Sequence, residues 1–97
     1  MSTTATCLRI EGELTIYRAA ELAEALKGSL AQVPAGGAFE LDLSGVTEMD
    51  CAGVQLLLAT QRSANESGRV LRVAATGAAV AEVFDTLQLA SHFSDRH

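Results

Sequence analysis

One stretch in the middle of the chain, residues 41–58, constrains the fold more than any other. It opens with the alternating run Leu41–Ser44, continues through a polar segment, and ends in the hydrophobic run Val54–Leu58. Alternation with a period of two is typical of a strand, and a long apolar run after a glycine is typical of a buried helix. The stretch therefore predicts strand, loop and helix, with Asp50 and Cys51 at the start of the helix. Helix N-termini present free N–H groups and partial positive charge, which favour anionic groups.

The size and charge of the chain limit the class of protein. Ninety-seven residues suffice for one hydrophobic core, so we expect a single domain over residues 1–97, frayed at 1–6 and 94–97. Aromatic residues make up only 4%, so the core must come from Leu, Val and Ala. Seven scattered basic residues against twelve acidic ones give a net charge of −5. Nucleic-acid binding needs clustered Lys and Arg and is therefore disfavoured.

The sequence shows no signal for secretion or membrane insertion. The first six residues lack a basic start and an apolar core of signal-peptide length. No apolar stretch approaches the roughly 20 residues that a membrane span needs. We therefore expect a cytoplasmic protein, with Cys7 and Cys51 as free thiols in a reducing compartment. Two cysteines and two histidines without close spacing predict no metal site, and no cofactor is expected.

The first part of the chain has the pattern of two strands and a helix. Polar and apolar residues alternate over Cys7–Glu11 and again over Glu13–Tyr17, so Gly12 predicts a tight turn between two strands. The residues expected to face the core are Leu8, Ile10, Leu14 and Ile16. Apolar residues then recur at helical steps over residues 19–30, and the segment Val33–Gly37 ends that helix.

The second part of the chain repeats the strand and helix patterns twice. Phe39–Leu43 predicts a third strand, and Ala52–Asn65 predicts a helix with Gly68 as its C-terminal cap. Val70–Ala74 predicts a fourth strand, and Thr76 is the predicted N-cap of a last helix. The apolar stripe of that helix consists of Val80, Val83, Phe84 and Leu87.

These elements predict an α/β fold in the order β-β-α-β-α-β-α. Alternating strands and helices after the first hairpin imply parallel neighbours joined by right-handed crossovers. The expected architecture is a small mixed sheet of four strands packed against three helices. A short C-terminal turn over residues 89–93 would follow. No internal repeat or domain boundary interrupts the chain.

The stretch Leu41–Val54 resembles the STAS family, the domain of bacterial anti-sigma-factor antagonists and of sulfate-transporter tails. The family pattern is a hydrophobic strand, a Ser-Gly or similar turn and a hydrophobic residue. An Asp, a hydroxyl residue, a small residue and a Gly then follow. Asp50, Ala52 and Gly53 match this pattern directly.

The resemblance covers nearly the whole chain, since the runs Leu14–Leu22 and Leu71–Val73 are also consistent with it. Within the family, the chain looks most like the small single-domain members associated with chemotaxis and signalling clusters. It is also similar to the STAS subunit of bacterial phospholipid-transport ABC complexes.

The resemblance implies a non-enzymatic regulatory module that docks a protein partner. That partner would be an anti-sigma factor, a related serine kinase or another signalling protein. Docking would use the loop over residues 44–54 and the exposed face of the second helix. The residues implied in the docking and switch site are Ser44, Gly45, Thr47, Asp50, Cys51, Ala52, Gly53 and Gln55.

The resemblance also implies a switch at the residue after the Asp. In classical antagonists that residue is a Ser or Thr, and its phosphorylation adds about −1.5 to −2 charges at pH 7 and breaks the complex. Here the position is Cys51, and a thiol is not an ordinary substrate of a serine/threonine kinase. The alternative function is a constitutive STAS subunit bound to the ATPase of a phospholipid-transport ABC complex, which needs no phosphorylation.

More than one role is compatible with several of these residues. Cys51 fits as a small helix-start residue, as a redox-sensitive thiol or, least readily, as a nucleophile. Asp50 can cap the helix or contact a partner. Gly53 costs about 1 kcal/mol of helix stability relative to Ala, which suggests the close approach of a backbone from this chain or from a partner. Ser44 and Thr47 suit turn hydrogen bonds, and either could be a substitute phosphosite.

Overall fold

Strands and helices alternate strictly through residues 5–88, the part of the chain that the computed structural model describes. This alternation confirms the predicted α/β class. In chain order the elements are β1 (Ala5–Leu14), α1 (Ala19–Ala31), β2 (Ala38–Met49), α2 (Cys51–Glu66), β3 (Val70–Thr76) and α3 (Ala78–Leu87).

The sheet is parallel and has the order β1-β2-β3. Strand β1 pairs with β2 from Ala5 opposite Ala38 to Leu14 opposite Met49. Strand β3 pairs with the first half of β2. Parallel neighbours need a long crossover, and α1 and α2 supply the two crossovers. The predicted mixed sheet of four strands is not confirmed, because residues 5–88 contain three strands and all pair in parallel.

The two strands predicted on either side of Gly12 are one continuous strand, β1, and this accounts for the difference between four predicted strands and three observed ones. Gly12 has φ +84° and lies beside a shift in the β1–β2 register, where Thr47 of β2 has no partner in β1. The chain bends there without reversing, as it does at a β-bulge. Arg18 supports the bend, since its Nη1 donates to the carbonyl oxygen of Glu11 at 2.6 Å and to that of Glu13 at 3.0 Å. A glycine between two alternating runs therefore marked a bulge rather than a turn.

The core lies against one face of the sheet. Phe39, Leu41 and Leu43 alternate along β2 and are completely buried. They form one cluster with the buried stripes of all three helices. Those helical residues are Leu22, Leu26 and Leu30 of α1, Val54, Leu57 and Ala64 of α2, and Val80 and Phe84 of α3.

The alternate residues of the sheet carry charge. Arg9 of β1 bonds Glu11 at 2.8 Å and Asp42 of β2 at 3.0 Å, and Arg72 of β3 lies 3.6 Å from Glu40. Exposed pairs of this kind contribute little to stability. They make this face of the sheet hydrophilic, in contrast to the core face.

The ends of the elements differ from the predicted ones in two places. Ile10 and Leu14 are buried as predicted, and Leu8 packs partly buried against the core. Ile16 is 65% exposed, because β1 ends at Leu14 and the alternation does not continue. Thr76 is not an N-cap but the last residue of β3, and Gly77 takes the N-cap position of α3 without a side-chain cap.

The other end of α2 agrees with its prediction. Gly68 follows the C-cap Ser67 with φ +78°, a conformation that glycine adopts readily. The N–H of Arg69 then donates to the carbonyl of Ala64 at 2.8 Å, which closes the helix end. Along residues 5–88, no helix is both long and apolar enough to cross a membrane. The predicted turn over 89–93 and the frayed residues 94–97 lie outside the described residues, as do residues 1–4 of the predicted N-terminal fray.

Candidate functional site

The predicted loop over residues 44–54 is not a loop: residues 44–49 are the second half of β2, and residues 51–54 are the first turn of α2. Residues 45–49 pair with Glu11–Leu14 of β1, and only Asp50 separates β2 from α2. The prediction failed because Ser44, Thr47 and Glu48 are polar, as loop residues usually are. They are exposed while the intervening Val46 is 4% exposed, so polar residues here occupy the solvent side of a strand.

Ser44 lies away from the start of α2. Its hydroxyl donates to Asp42 Oδ1 at 2.6 Å and accepts from Arg9 Nη1 at 3.2 Å, on the charged face of the sheet. Hydrogen bonds from the Ser44 hydroxyl and N–H are the main reason that the pKa of Asp42 lies below its ordinary value. Five strand residues lie between Ser44 and Asp50, and the six steps along the chain span roughly 20 Å at about 3.3 Å per residue. Ser44 therefore does not belong to the same site as Cys51.

Asp50 joins three elements at the start of α2. Its Oδ1 accepts the N–H of Gly53 at 3.1 Å, which is an N-cap bond, and its Oδ2 accepts the N–H of Ile16 at 3.1 Å. Its own N–H donates to the carbonyl of Leu14 at 3.4 Å. The predicted capping role is confirmed. The bond to Ile16, which sequence reasoning missed, also fastens the β1–α1 connection to the mouth of α2.

These bonds make the carboxylate of Asp50 a pH-sensitive part of the fold. The N–H groups of Ile16, above all, and of Gly53 lower the pKa of Asp50 below its ordinary value. A carboxylate with a lowered folded-state pKa stabilises the fold above its unfolded pKa of about 3.9, and that stabilisation disappears as the pH falls towards the folded pKa.

We expect Asp50→Asn to be less stable than the wild type at pH 7, and the difference to shrink below about pH 4. Urea unfolding followed by circular dichroism at several pH values measures this difference. Cys51→Ser, which retains the carboxylate, should follow the wild-type pH dependence. A constant difference between Asp50→Asn and wild type from pH 7 to pH 3 would contradict the role of the charge.

Gly53 touches the chain's own backbone. A Cβ built on Gly53 would overlap the carbonyl oxygen of Leu14 and lie 3.0 Å from Leu14 Cγ and 3.1 Å from its carbonyl carbon. Gly53 is also buried. The sequence left open whether a backbone from this chain or from a partner approaches Gly53 closely. The structure shows that it is this chain's own backbone, because the first turn of α2 lies directly on the end of β1.

Cys51 is exposed in the first turn of α2. Ala52 is half-buried and Gln55 is exposed one turn further on. Within the described ranges, no group of three or more His, Cys, Asp or Glu side chains could hold a metal ion. The predicted residues thus divide into a compact group at the mouth of α2, Asp50 to Gln55, and the strand residues Ser44, Gly45 and Thr47.

Large exposed apolar side chains occur on the segments that meet at the start of α2. Ile16 is 65% and Tyr17 is 89% exposed, and the Asp50 bond holds this pair beside the start of α2. Leu87 of α3 is 49% exposed and lines the same groove as Cys51. We call Ile16, Tyr17, Cys51 and Leu87 the Cys51 patch. Sequence reasoning assigned Ile16 to the core and missed Tyr17; the signal was an apolar pair directly before the start of α1.

Solved structures share this arrangement of strands and helices. An anti-sigma factor antagonist from Mycobacterium paratuberculosis matches with a TM-score of 0.78 and 22% identity over 96% of this chain and 77% of that one. A sulfate transporter family protein from Wolinella succinogenes matches with a TM-score of 0.74 and 18% identity, over 98% of this chain and 75% of that one. The SulP transporter STAS domain from Vibrio cholerae matches with a TM-score of 0.73 and 18% identity, over 98% of this chain and 72% of that one. The fold is therefore that of the STAS domains.

The family follows from the sequence itself. Residues 1–91 match the family model described as "Mlab, STAS domain". No curated protein sequence matches the chain significantly. The chain belongs to the STAS family, which confirms the resemblance found in residues 41–54.

Proposed function

We propose that this STAS domain is a non-enzymatic regulatory module that docks a protein partner at the mouth of α2. The observation that carries the proposal is the Cys51 patch. The N–H of the exposed Ile16 is bonded to Asp50, directly before the exposed Cys51, and the half-exposed Leu87 lines the same groove as Cys51. Grouped exposed apolar side chains mark interaction surfaces, and tyrosine is enriched among the residues that dominate binding energy.

The patch is held in place before any partner binds. The Asp50 carboxylate bonds the N–H of Ile16 and the N–H of Gly53, so the β1–α1 connection and the first turn of α2 keep a fixed relation. A surface that is already ordered loses less conformational entropy on binding. Asp50 would then support docking by positioning its neighbours. Its carboxylate also has acceptor sites to spare for direct contact with a partner.

The structural likeness to an anti-sigma factor antagonist supports a signalling partner in the cytoplasm, either an anti-sigma factor with serine-kinase character or a chemotaxis-type protein. In a partner-switching circuit the position of Cys51 would carry the phosphate. Since this chain has a thiol there, we propose that docking at the patch is retained while phosphorylation at this position is not.

The thiol also favours a second candidate function, that of a constitutive STAS subunit on the ATPase of a phospholipid-transport ABC complex. Such a subunit needs an exposed docking surface at the mouth of α2 but no hydroxyl for a kinase, and the exposed Cys51 fits this requirement. Purification in mild detergent separates the two functions. Stoichiometric recovery of a membrane ATPase supports the transporter subunit, and its absence counts against it.

The proposal predicts that a negative charge at Cys51 prevents docking. We expect Cys51→Glu to reduce capture of the native partner at least about tenfold, because the charge must be buried against apolar partner groups. Affinity purification of the tagged chain from its native cells, quantified by mass spectrometry, measures the loss. Tyr17→Ser should reduce capture of the same protein.

Cys7 provides a matched control for this experiment. It is the other exposed cysteine, and it lies on β1, opposite Glu40 in the register. Cys7→Glu introduces the same charge and should leave capture within about twofold of wild type, because charge changes away from an interface core have small effects. Equal capture of one partner by wild type and Cys51→Glu would contradict the proposed docking site.

A further inference from the structure

A groove runs from the mouth of α2 along α3. Its volume is about 330 Å³, at the lower end of the 300–1,000 Å³ typical of binding pockets. The residues that line it are Met49, Asp50, Cys51, Val54, Glu82, Val83, Thr86 and Leu87. Strand β2 and helix α2 supply one wall and α3 supplies the other.

The groove is apolar inside and acidic at its rim. Val54 is buried, Val83 and Met49 pack partly buried against the core, and Leu87 is about half exposed. Asp50 and Glu82 contribute carboxylates, and none of the eight described residues that line the groove is a Lys or Arg. A ligand that fills this groove must therefore offer apolar contact in the middle and positive charge at the edges.

We propose that the groove binds a basic amphipathic helix of the protein partner, with leucine-like side chains against Cys51, Val54 and Leu87 and with Lys or Arg near Glu82. The inference rests on the proposed function and specifies the chemistry of the partner. Amphipathic helices commonly dock in grooves between helices through residues spaced i, i+3, i+4 and i+7. Helix α3 contributes residues 82–87 to the groove, a length of about 9 Å, so the groove matches roughly two turns of a partner helix.

Charge complementarity also favours a basic partner helix over a second copy of the chain as the occupant of the groove. A two-fold dimer built on this groove would bring two acidic rims together, and each chain has a net charge of −5. Juxtaposed like charges disfavour such a contact, whereas Lys or Arg on a partner helix speeds encounter and selects the correct partner.

The test uses the full chain and a synthetic probe. The probe is a fluorescein-labelled helical peptide of roughly three turns with Leu at the i, i+3, i+4 and i+7 positions and Lys elsewhere. A second peptide carries Glu in place of Lys. We expect the Lys peptide to bind, as measured by fluorescence anisotropy, and the Glu peptide not to bind. Amide chemical shifts should change mainly over residues 49–54 and 82–87.

Variants locate the binding. We expect Glu82→Lys to weaken the Lys peptide at least about tenfold, since it places a positive charge against the probe. Glu66→Lys, at the other end of α2, makes the same charge change and should have less than about a twofold effect, because separation and salt screen it. Leu87→Ser should weaken binding without changing the net charge.

Several results would overturn the inference. Equal weakening by Glu66→Lys and Glu82→Lys would show only attraction to an acidic protein. Equal binding of both peptides would remove the role of the carboxylates. Self-association that Leu87→Ser abolishes would assign the groove to a second copy.

Two variants distinguish a failure of the groove inference from a failure of the proposed function. If Glu82→Lys still captures the native partner that Cys51→Glu loses, the groove inference is wrong and the docking site stands. If Cys51→Glu loses no partner, the docking site is wrong whatever the peptide does.

Discussion

Gly53→Ala is expected to destabilise the domain by about 3 kcal/mol, although alanine is the better helix former by about 1 kcal/mol. The added methyl group would overlap the carbonyl oxygen of Leu14 and press on Leu14 Cγ and the carbonyl carbon, at 3.0 and 3.1 Å. Two of these atoms belong to the backbone of β1, so a side-chain rotation cannot relieve the overlap. The start of α2 must move away from β1, which also strains the Asp50 bonds to Ile16 and Leu14.

Gly28 provides the matched control for this prediction. It lies within α1 and is exposed, and apart from its two neighbours and the backbone of α1 itself, no atom lies within 4 Å of a Cβ built on it. Gly28→Ala should therefore stabilise the domain by about 0.5–1 kcal/mol. Urea unfolding of both variants measures the two changes. If both variants were more stable than wild type, the first turn of α2 could not lie against β1 as described.

Arg18→Met is expected to reduce the free energy of unfolding by about 2 kcal/mol. The substitution keeps much of the apolar stem but removes the guanidinium that donates to the carbonyls of Glu11 and Glu13. It also removes the bond from Arg18 Nη2 to Glu21 at 3.2 Å. The Arg18 side chain is 30% exposed, so water replaces part of these interactions. The two carbonyls flank the bend at Gly12, and the loss should loosen this part of β1.

Arg62→Met tests whether the loss of stability in Arg18→Met comes from the contacts of Arg18 or merely from the removal of a positive charge. Arg62 lies on the exposed side of α2, and we expect its substitution to change stability by no more than about 0.5 kcal/mol. Hydrogen exchange supplies a local readout, because Arg18→Met should speed exchange over residues 11–18 while Arg62→Met should not. Equal losses of stability in the two variants would contradict the role of Arg18 at the bend.

These substitutions also bear on the proposed docking site. Gly53 sets the position of α2, and Arg18 sets the path of the chain into α1. Ile16 and Tyr17 directly precede Arg18, and the N–H of Ile16 is bonded to Asp50 at the start of α2. Either substitution therefore disturbs the arrangement that presents the Cys51 patch. Partner capture should fall with Gly53→Ala and Arg18→Met, whereas Gly28→Ala and Arg62→Met should retain it.

Local sequence signals were sufficient for the helices, the capping residue and the family. The stripe of α1, the glycine after α2 and the Asp50 cap all depend on residues within a few positions of one another, so periodicity and capping preferences reveal them. The pattern around Asp50, Ala52 and Gly53 was specific enough to predict the STAS family, which the match over residues 1–91 confirms.

The features that the sequence did not predict depend on strand pairing and on contacts between distant parts of the chain. Gly12 with a positive φ suits both a hairpin turn and a bulge, and the bulge follows from continued pairing of β1 with β2 and from Arg18. The polar run over residues 44–49 is a strand because β1 extends far enough to pair with it. Ile16 and Tyr17 are exposed because β1 stops at Leu14 and the carboxylate of Asp50 holds the chain at Ile16. Each outcome depends on groups more than thirty residues apart or on strand register, which local periodicity does not encode.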